Sequence, residues 1–221
     1  MKVRSFIIAY ALVLAILLFA DRRPRTGQQD RYSHVVDLTN ESNVKEPGPA
    51  HVEVSTQIIA PGALIPGTWN AGQIPPERLV APLVVMDLNM SRGSQISLDD
   101  IAEWEAHHGV VPQGALVAIR QNASATDTTK TPESVSPLPI ARDAAQFLID
   151  ARYTIGFAVE TPVDMTSDRT MARQLALRGN YVVEGAARFT SLPVTGSLII
   201  VAPAKNKKVG AAPVRILAMV R

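Results

Sequence analysis

The segment RLVAPLVVMDL (78–88) decides the fold class, because it is short, apolar and rich in β-branched residues, as buried strands are. The following segment, SLDDIAEWEAHHG (97–109), has a serine and an aspartate at capping-box spacing and ends in glycine, which predicts a helix. GALVAIR (114–120) is a second short apolar run and predicts a second buried strand. A strand, a helix and a strand in alternation predict an α/β domain.

The alternation extends in both directions from this centre. HVVDLT (34–39) predicts one short strand after a polar, proline-broken linker. Helical spacing predicts a helix over 141–152, and TIGFAVE (154–160) predicts another strand. Asp168 is a suitable N-cap for a helix that ends before Gly179 and Asn180. Three more strands are predicted at YVVEG, SLIIVAP and VRILAMV.

The composition excludes several classes of protein. The chain has 221 residues, of which 47% are hydrophobic and 19% charged, so it can bury a core of its own. The net charge is only +2 and the basic residues are scattered without aromatic interleaving, which argues against nucleic acid as a partner. The absence of cysteine excludes disulfides, thiolate metal sites and a cysteine nucleophile.

The N-terminal stretch MKVRSFIIAYALVLAILLFADRRPR (1–25) predicts a membrane anchor. A cleaved signal peptide and a buried helix are the alternatives, but Leu18 makes a poor cleavage site and basic residues flank the apolar run at both ends. Fifteen uncharged residues span only about 23 Å as a helix, so the flanking cations would snorkel to the interfaces. The membrane-embedded residues would be Phe6, Ile7, Ile8, Leu12, Val13, Leu14, Ile16, Leu17, Leu18 and Phe19, with Lys2, Arg4, Arg22 and Arg23 at the interfaces.

We therefore expect an α/β domain preceded by one N-terminal transmembrane helix. The anchor with its basic flanks occupies 1–25, a linker with the first strand 26–50, and the α/β domain 51–221. The basic residues on the two sides of the apolar run nearly balance, so charge bias gives little information on orientation. We expect a single-pass protein of a bacterial inner membrane, with the soluble domain in the periplasm.

From about residue 35 to the C-terminus, the order of segments resembles the metal-dependent cyclase family, which includes bacterial kynurenine formamidases and isatin hydrolases. The resemblance implies that family's swivelling β/β/α architecture and a possible homodimer. It is carried by VVDLT, IPPERLVAPLVVMDL, ISLDDIAEWEAHHGVVPQGALVAI, VETPVD, YVVEGAARFTSLPVTGSLIIVAP and APVRILAMV.

The family's signature, His-x-Gly-Thr-His-x-Asp-x-Pro-x-His, falls on EVSTQIIAPGAL (53–64), where Thr56 and Pro61 set the register. In the family, histidines and the aspartate of this signature bind a divalent metal such as zinc or manganese. A distant histidine twelve residues before a glutamate completes the ligands, and the last histidine of the signature is the general base. The corresponding positions here are Glu53, Gln57, Ile59, Ala63, Ala172 and Glu184.

These substitutions remove the family's chemistry from those positions. Ile59 and Ala172 have no donor atom for a metal, and Gln57 offers only a neutral carbonyl oxygen. Ala63 cannot accept a proton, so it cannot be a general base. The sequence therefore predicts no catalytic residue, no metal ligand and no cofactor, and a chain that is not an enzyme.

The resulting hypothesis is an inactive cyclase-like domain that serves as an accessory subunit of a larger inner-membrane complex, of the respiratory or photosynthetic kind. Its partners would be membrane-embedded protein subunits and lipid. One alternative is a residual metal-dependent amide or lactam hydrolase that uses other residues, and another is a small-molecule binding module that uses the old pocket. The KNKK segment (205–208) is either a solvated loop or a contact for anionic lipid or an acidic partner.

Overall fold

The computed structural model describes residues 32–40, 55–88, 95–121 and 137–221. The predicted anchor and its interface residues lie outside these ranges, as does Glu53. Within the described ranges, no helix has the length and apolar character needed to cross a membrane. The proposed domain boundaries stay predictions.

The described residues form eight strands, four helices and three short 3-10 turns. The strands are β1 His34–Asp37, β2 Gln57–Ile59, β3 Val80–Leu88, β4 Leu116–Gln121, β5 Gly156–Val159, β6 Tyr181–Glu184, β7 Ser197–Pro203 and β8 Ala211–Val220. The helices are α1 Pro61–Leu64, α2 Leu98–His108, α3 Arg142–Ala151 and α4 Arg169–Leu177. The 3-10 turns are Ala71–Gln73, Pro76–Arg78 and Phe189–Ser191.

Seven of these strands close into a barrel. Their order is β8-β2-β6-β5-β4-β3-β7, and β7 pairs with β8 to complete the ring, while β1 pairs with the far end of β8. The strands β3, β4, β5 and β6 run parallel, because a helix returns the chain between each of them. The predicted α/β class is therefore confirmed.

Apolar residues fill two separate layers. Alternate residues of the strands point into the barrel and pack around the fully buried Tyr181 and Phe189. The other residues of the parallel strands face outward and pack beneath α2, α3 and α4, with Trp104 and Leu148 as their large helical partners. The two layers leave the ends of the strands as the places where polar side chains collect.

The described part of the segment that matches the family signature forms regular structure. Gln57–Ile59 forms strand β2, which lies between β6 and β8. Pro61 then opens the single turn of α1, a position where its missing N–H costs no hydrogen bond. The signature positions therefore lie on a strand and on the helical turn that follows it.

Candidate functional site

The pairing of β2 with β6 brings two of the signature-derived positions together. Gln57 lies directly opposite Glu184 in the antiparallel register. The Gln57 side-chain amide, Nε2, donates to Glu184 Oε1 at 2.6 Å. The backbone N–H of Val163 donates to Glu184 Oε2 at 2.8 Å. Both oxygens of this carboxylate, in a residue only 6% exposed, therefore accept hydrogen bonds from the protein itself.

The surroundings of this pair are apolar. Ile59 lies two residues after Gln57, on the same face of β2, because side chains alternate along a strand. Ile59 packs against the outer apolar layer, which contains Val163, Ala172 and Val182. The positions that would carry an aspartate and a distant histidine in the family are thus part of a hydrophobic core.

The remaining position, Ala63, lies on α1, which packs against α4, the helix that carries Ala172. Ala63 is exposed, and the backbone of Gly210 approaches it so closely that a Cβ on that glycine would lie 2.4 Å from the Ala63 nitrogen. The neighbouring glycine backbone therefore leaves little room for a longer side chain to fold towards the β7–β8 connection.

This donor set does not fit a divalent metal. Zinc and manganese require several imidazole nitrogens or carboxylate oxygens in one place. Of the described signature-derived positions, only Glu184 is a strong ligand, and both of its oxygens already accept hydrogen bonds. Throughout the described ranges, no group of three or more His, Cys, Asp or Glu side chains is arranged to hold a metal ion.

Thr56, which served only to set the register, has a defined structural role. Its buried hydroxyl donates to the carbonyl of Gly185 at 2.7 Å and accepts from the N–H of Asn40 at 2.7 Å. The hydroxyl therefore ties the end of β6 to the chain after β1. Sequence reasoning missed this link, and also the contact of Val163 with Glu184, because both involve backbone groups far away in sequence.

A cleft of about 440 Å³ opens beside Thr56 and is distinct from the Gln57–Glu184 pair. It lies where β1 ends, β2 begins, and β7 and β8 face each other. Its lining is mixed, with one cation, Arg215, whose guanidinium donates to Asp37 at 3.0 Å. Hydrogen bonding to Thr39 is the larger cause, and the Arg215 ion pair the smaller one, that together hold the pKa of Asp37 below its usual range.

The seven-stranded barrel, covered by helices on its parallel strands, is an α/β fold with Glu184 at the end of β6. A family model described as "Putative cyclase" matches residues 26–163, so the chain belongs to the cyclase family. The resemblance drawn from the sequence is confirmed.

Individual relatives agree with this assignment. The chain is 27% identical over 164 residues to an isatin hydrolase of Roseibium aggregatum, and the match covers 65% of this chain and 61% of that protein. Isatin hydrolase A from Labrenzia aggregata, solved with benzyl benzoate, matches with a TM-score of 0.67 and 25% identity, over 85% of this chain and 93% of that one. A potential metal-dependent hydrolase with cyclase activity shares the fold, with a TM-score of 0.64, 24% identity and coverage of 85% and 98%.

These relatives overturn the prediction that the chain is not an enzyme. They are hydrolases, and the chain shares their family and fold. The prediction was wrong because it equated the loss of ligands at one set of positions with the loss of all activity. The substitutions at Gln57, Ile59 and Ala172 bear on a metal at those positions, and they say nothing of chemistry carried by other groups.

Proposed function

We propose that this chain is a membrane-tethered member of the cyclase family that works as an accessory subunit of a larger inner-membrane assembly. In this proposal the soluble domain faces the periplasm and the apolar N-terminal run holds it in the bilayer. Membrane-embedded subunits and lipid are its partners.

The observation that carries the proposal is the hydrogen bond between Gln57 and Glu184. Glu184 matches the one family ligand that the described residues keep, yet Gln57 and Val163 donate to both of its oxygens. These two donors already stabilise the buried carboxylate in its charged form, so it has no need of a metal as a counter-charge. Ile59 and Ala172 would supply no ligand to a metal there. A role in assembly requires none of these ligands.

The experiment is the size of the native particle in source membranes solubilised with a mild detergent. An antibody to the soluble domain would follow the full chain and a variant in which another transmembrane helix replaces residues 1–25. Migration with a complex of hundreds of kilodaltons, lost in the variant, would support a subunit held by its own anchor. Migration of the full chain as a monomer or dimer would reject the accessory role.

A second candidate is a hydrolase of the amide or lactam class, which the isatin hydrolase relatives favour. Such an enzyme would use groups other than those at the signature positions, since Ala63 offers no base. Turnover of isatin by the full chain, with zinc or manganese added, tests it directly. Hydrolysis that survives Glu184→Gln would place the catalytic groups elsewhere in the domain. Hydrolysis lost in that variant would show that Glu184, the position of the family's glutamate ligand, takes part.

A further inference from the structure

Three of the large hydrophobic side chains that the structure leaves exposed collect around one arginine. Trp69 is 38% exposed, Tyr153 61% and Leu177 60%. The guanidinium of Arg78 lies 5.8 Å from the centre of the Trp69 ring. The same guanidinium donates to the carbonyl of Gly179, two residues after Leu177. It also donates to the carbonyl of Ile155, two residues after Tyr153. The three residues therefore lie near one another, where α3 and α4 end.

The backbone holds Tyr153 at some conformational cost, and a glycine leaves room for Trp69. Tyr153 has a φ of +53°, a left-handed conformation that is unusual for a bulky residue. Gly179 has a φ of +70°, and a Cβ there would lie 2.7 Å from the Trp69 ring. Strain that keeps an aromatic side chain in water points to a binding role rather than to stability.

A rigid basic loop adjoins this aromatic cluster. The side chain of Asn70, next to Trp69, donates to the carbonyl of Lys207 at 2.9 Å. Backbone bonds join Gly72 to Asn206 and Ala71 to Val209, at 2.9 and 3.0 Å. The loop that carries Lys205, Lys207 and Lys208 is thereby fixed against the segment that begins at Trp69.

The charges of this loop exceed those that the described residues around it offset. Lys205, Lys207 and Lys208 are exposed, and no ion pair within the described ranges involves them. The carboxylates of Asp150 and Glu105, which lie near the ends of α3 and α2, are each paired with an arginine. Glu77, an exposed carboxylate, adjoins Arg78, and these two charges balance each other. The surface therefore combines exposed aromatic rings with an excess of positive charge.

We propose that this surface, formed by Trp69, Tyr153, Leu177, Lys205, Lys207 and Lys208, docks on an anionic phospholipid bilayer. Tryptophan and tyrosine favour the boundary between headgroups and acyl chains, because one end of the ring is apolar and the other can hydrogen bond. Lysines attract the negative surface of such a membrane. The proposal rests on the membrane placement given above and adds a second, lipid-dependent contact to it.

The experiment uses tryptophan fluorescence of the full chain in vesicles whose lipids carry bromine on the acyl chains. The chain has two tryptophans, and the second, Trp104, is buried and donates to the carbonyl of Val85 at 3.0 Å. In vesicles with 30% phosphatidylglycerol, we expect strong quenching of the wild type and little quenching of Trp69→Phe. Vesicles of phosphatidylcholine alone, or 0.5 M salt, should restore most of the emission.

Replacing Lys205, Lys207 and Lys208 by glutamine should lower the ratio of docked to free domain by about five-fold per lysine, or about a hundred-fold for all three. The matched control removes three exposed arginines, Arg169, Arg188 and Arg221, and should leave the quenching nearly unchanged, since they lie outside this surface.

Quenching that is equal in neutral and anionic vesicles, or that persists in the lysine variant, would overturn the proposal. So would a wild type whose Trp69 stays unquenched in every vesicle. If the lysine variant changes the size of the native particle but not the quenching, the surface binds an acidic protein and the lipid proposal is wrong. Particle size after replacement of residues 1–25 tests the anchor separately, so the two proposals can fail independently.

Discussion

Replacing Gln57 by alanine should destabilise the domain, because Glu184 Oε1 loses its donor while the carboxylate stays buried. A hydrogen bond to a charged group contributes about 1.5–3 kcal/mol of net stability. Gln57 is half-buried, so water can replace part of the loss, and we expect a decrease of about 2 kcal/mol in the free energy of unfolding. For a domain of 150–250 residues, that corresponds to a fall of roughly 4–8 °C in Tm.

The assay is thermal unfolding of the full chain in mild detergent, followed by the emission of Trp104 in a Trp69→Phe background. Gln113→Ala is the matched control, because this glutamine is exposed and its loss should cost less than about 0.5 kcal/mol. A fall in Tm no larger than that of the control would refute the argument. So would a rise of several degrees when zinc or manganese is added to the wild type, if Glu184→Gln abolishes it.

Three further predictions follow from single contacts. Thr56→Val should lower the free energy of unfolding by about 2 kcal/mol, because Asn40 N–H and the Gly185 carbonyl lose their partner. Thr56→Ser keeps the hydroxyl, so chemical denaturation should show most of the wild-type stability. Arg152 holds the pKa of Glu105 below its usual range, so the pair stabilises the domain above about pH 4.3 and loses this effect as the pH falls further. The wild type should therefore have a higher Tm than Glu105→Gln at pH 7, and this difference should shrink in acid. Gly179→Ala should lower the stability more than Gly67→Ala, because both glycines have positive φ but only at Gly179 would the added Cβ meet the Trp69 ring. Equal decreases in Tm would show that the ring moves aside.

Locally determined features were predictable from the sequence. The boundaries of α2 follow from Ser97, whose side chain accepts from the Asp100 N–H, and from Gly109, whose φ of +85° suits the residue after a helix. Asp168 caps α4 in the same way, through bonds from Thr170 and Met171. These signals act over three or four residues, so neighbouring sequence suffices to determine them.

Features that depend on distant segments were not predictable. Strand β2 has only three residues and exists because β6 and β8 pair with its two edges, which no local pattern of Gln57–Ile59 indicates. The family resemblance placed Gln57 and Glu184 in one region, but the hydrogen bond between them and the N–H of Val163 required the structure. The exposure of Trp69 and Tyr153 was likewise not predictable from the sequence, because aromatic residues are usually expected in a core.

The metal content of the chain tests the central claim most directly, namely that protein donors take the place of a metal at Glu184. The full chain would be purified from source membranes without chelators and its zinc, manganese and iron measured by mass spectrometry. We expect well under one metal ion per chain, with the same value for Glu184→Gln. About one ion per chain in the wild type, lost in that variant, would contradict the claim.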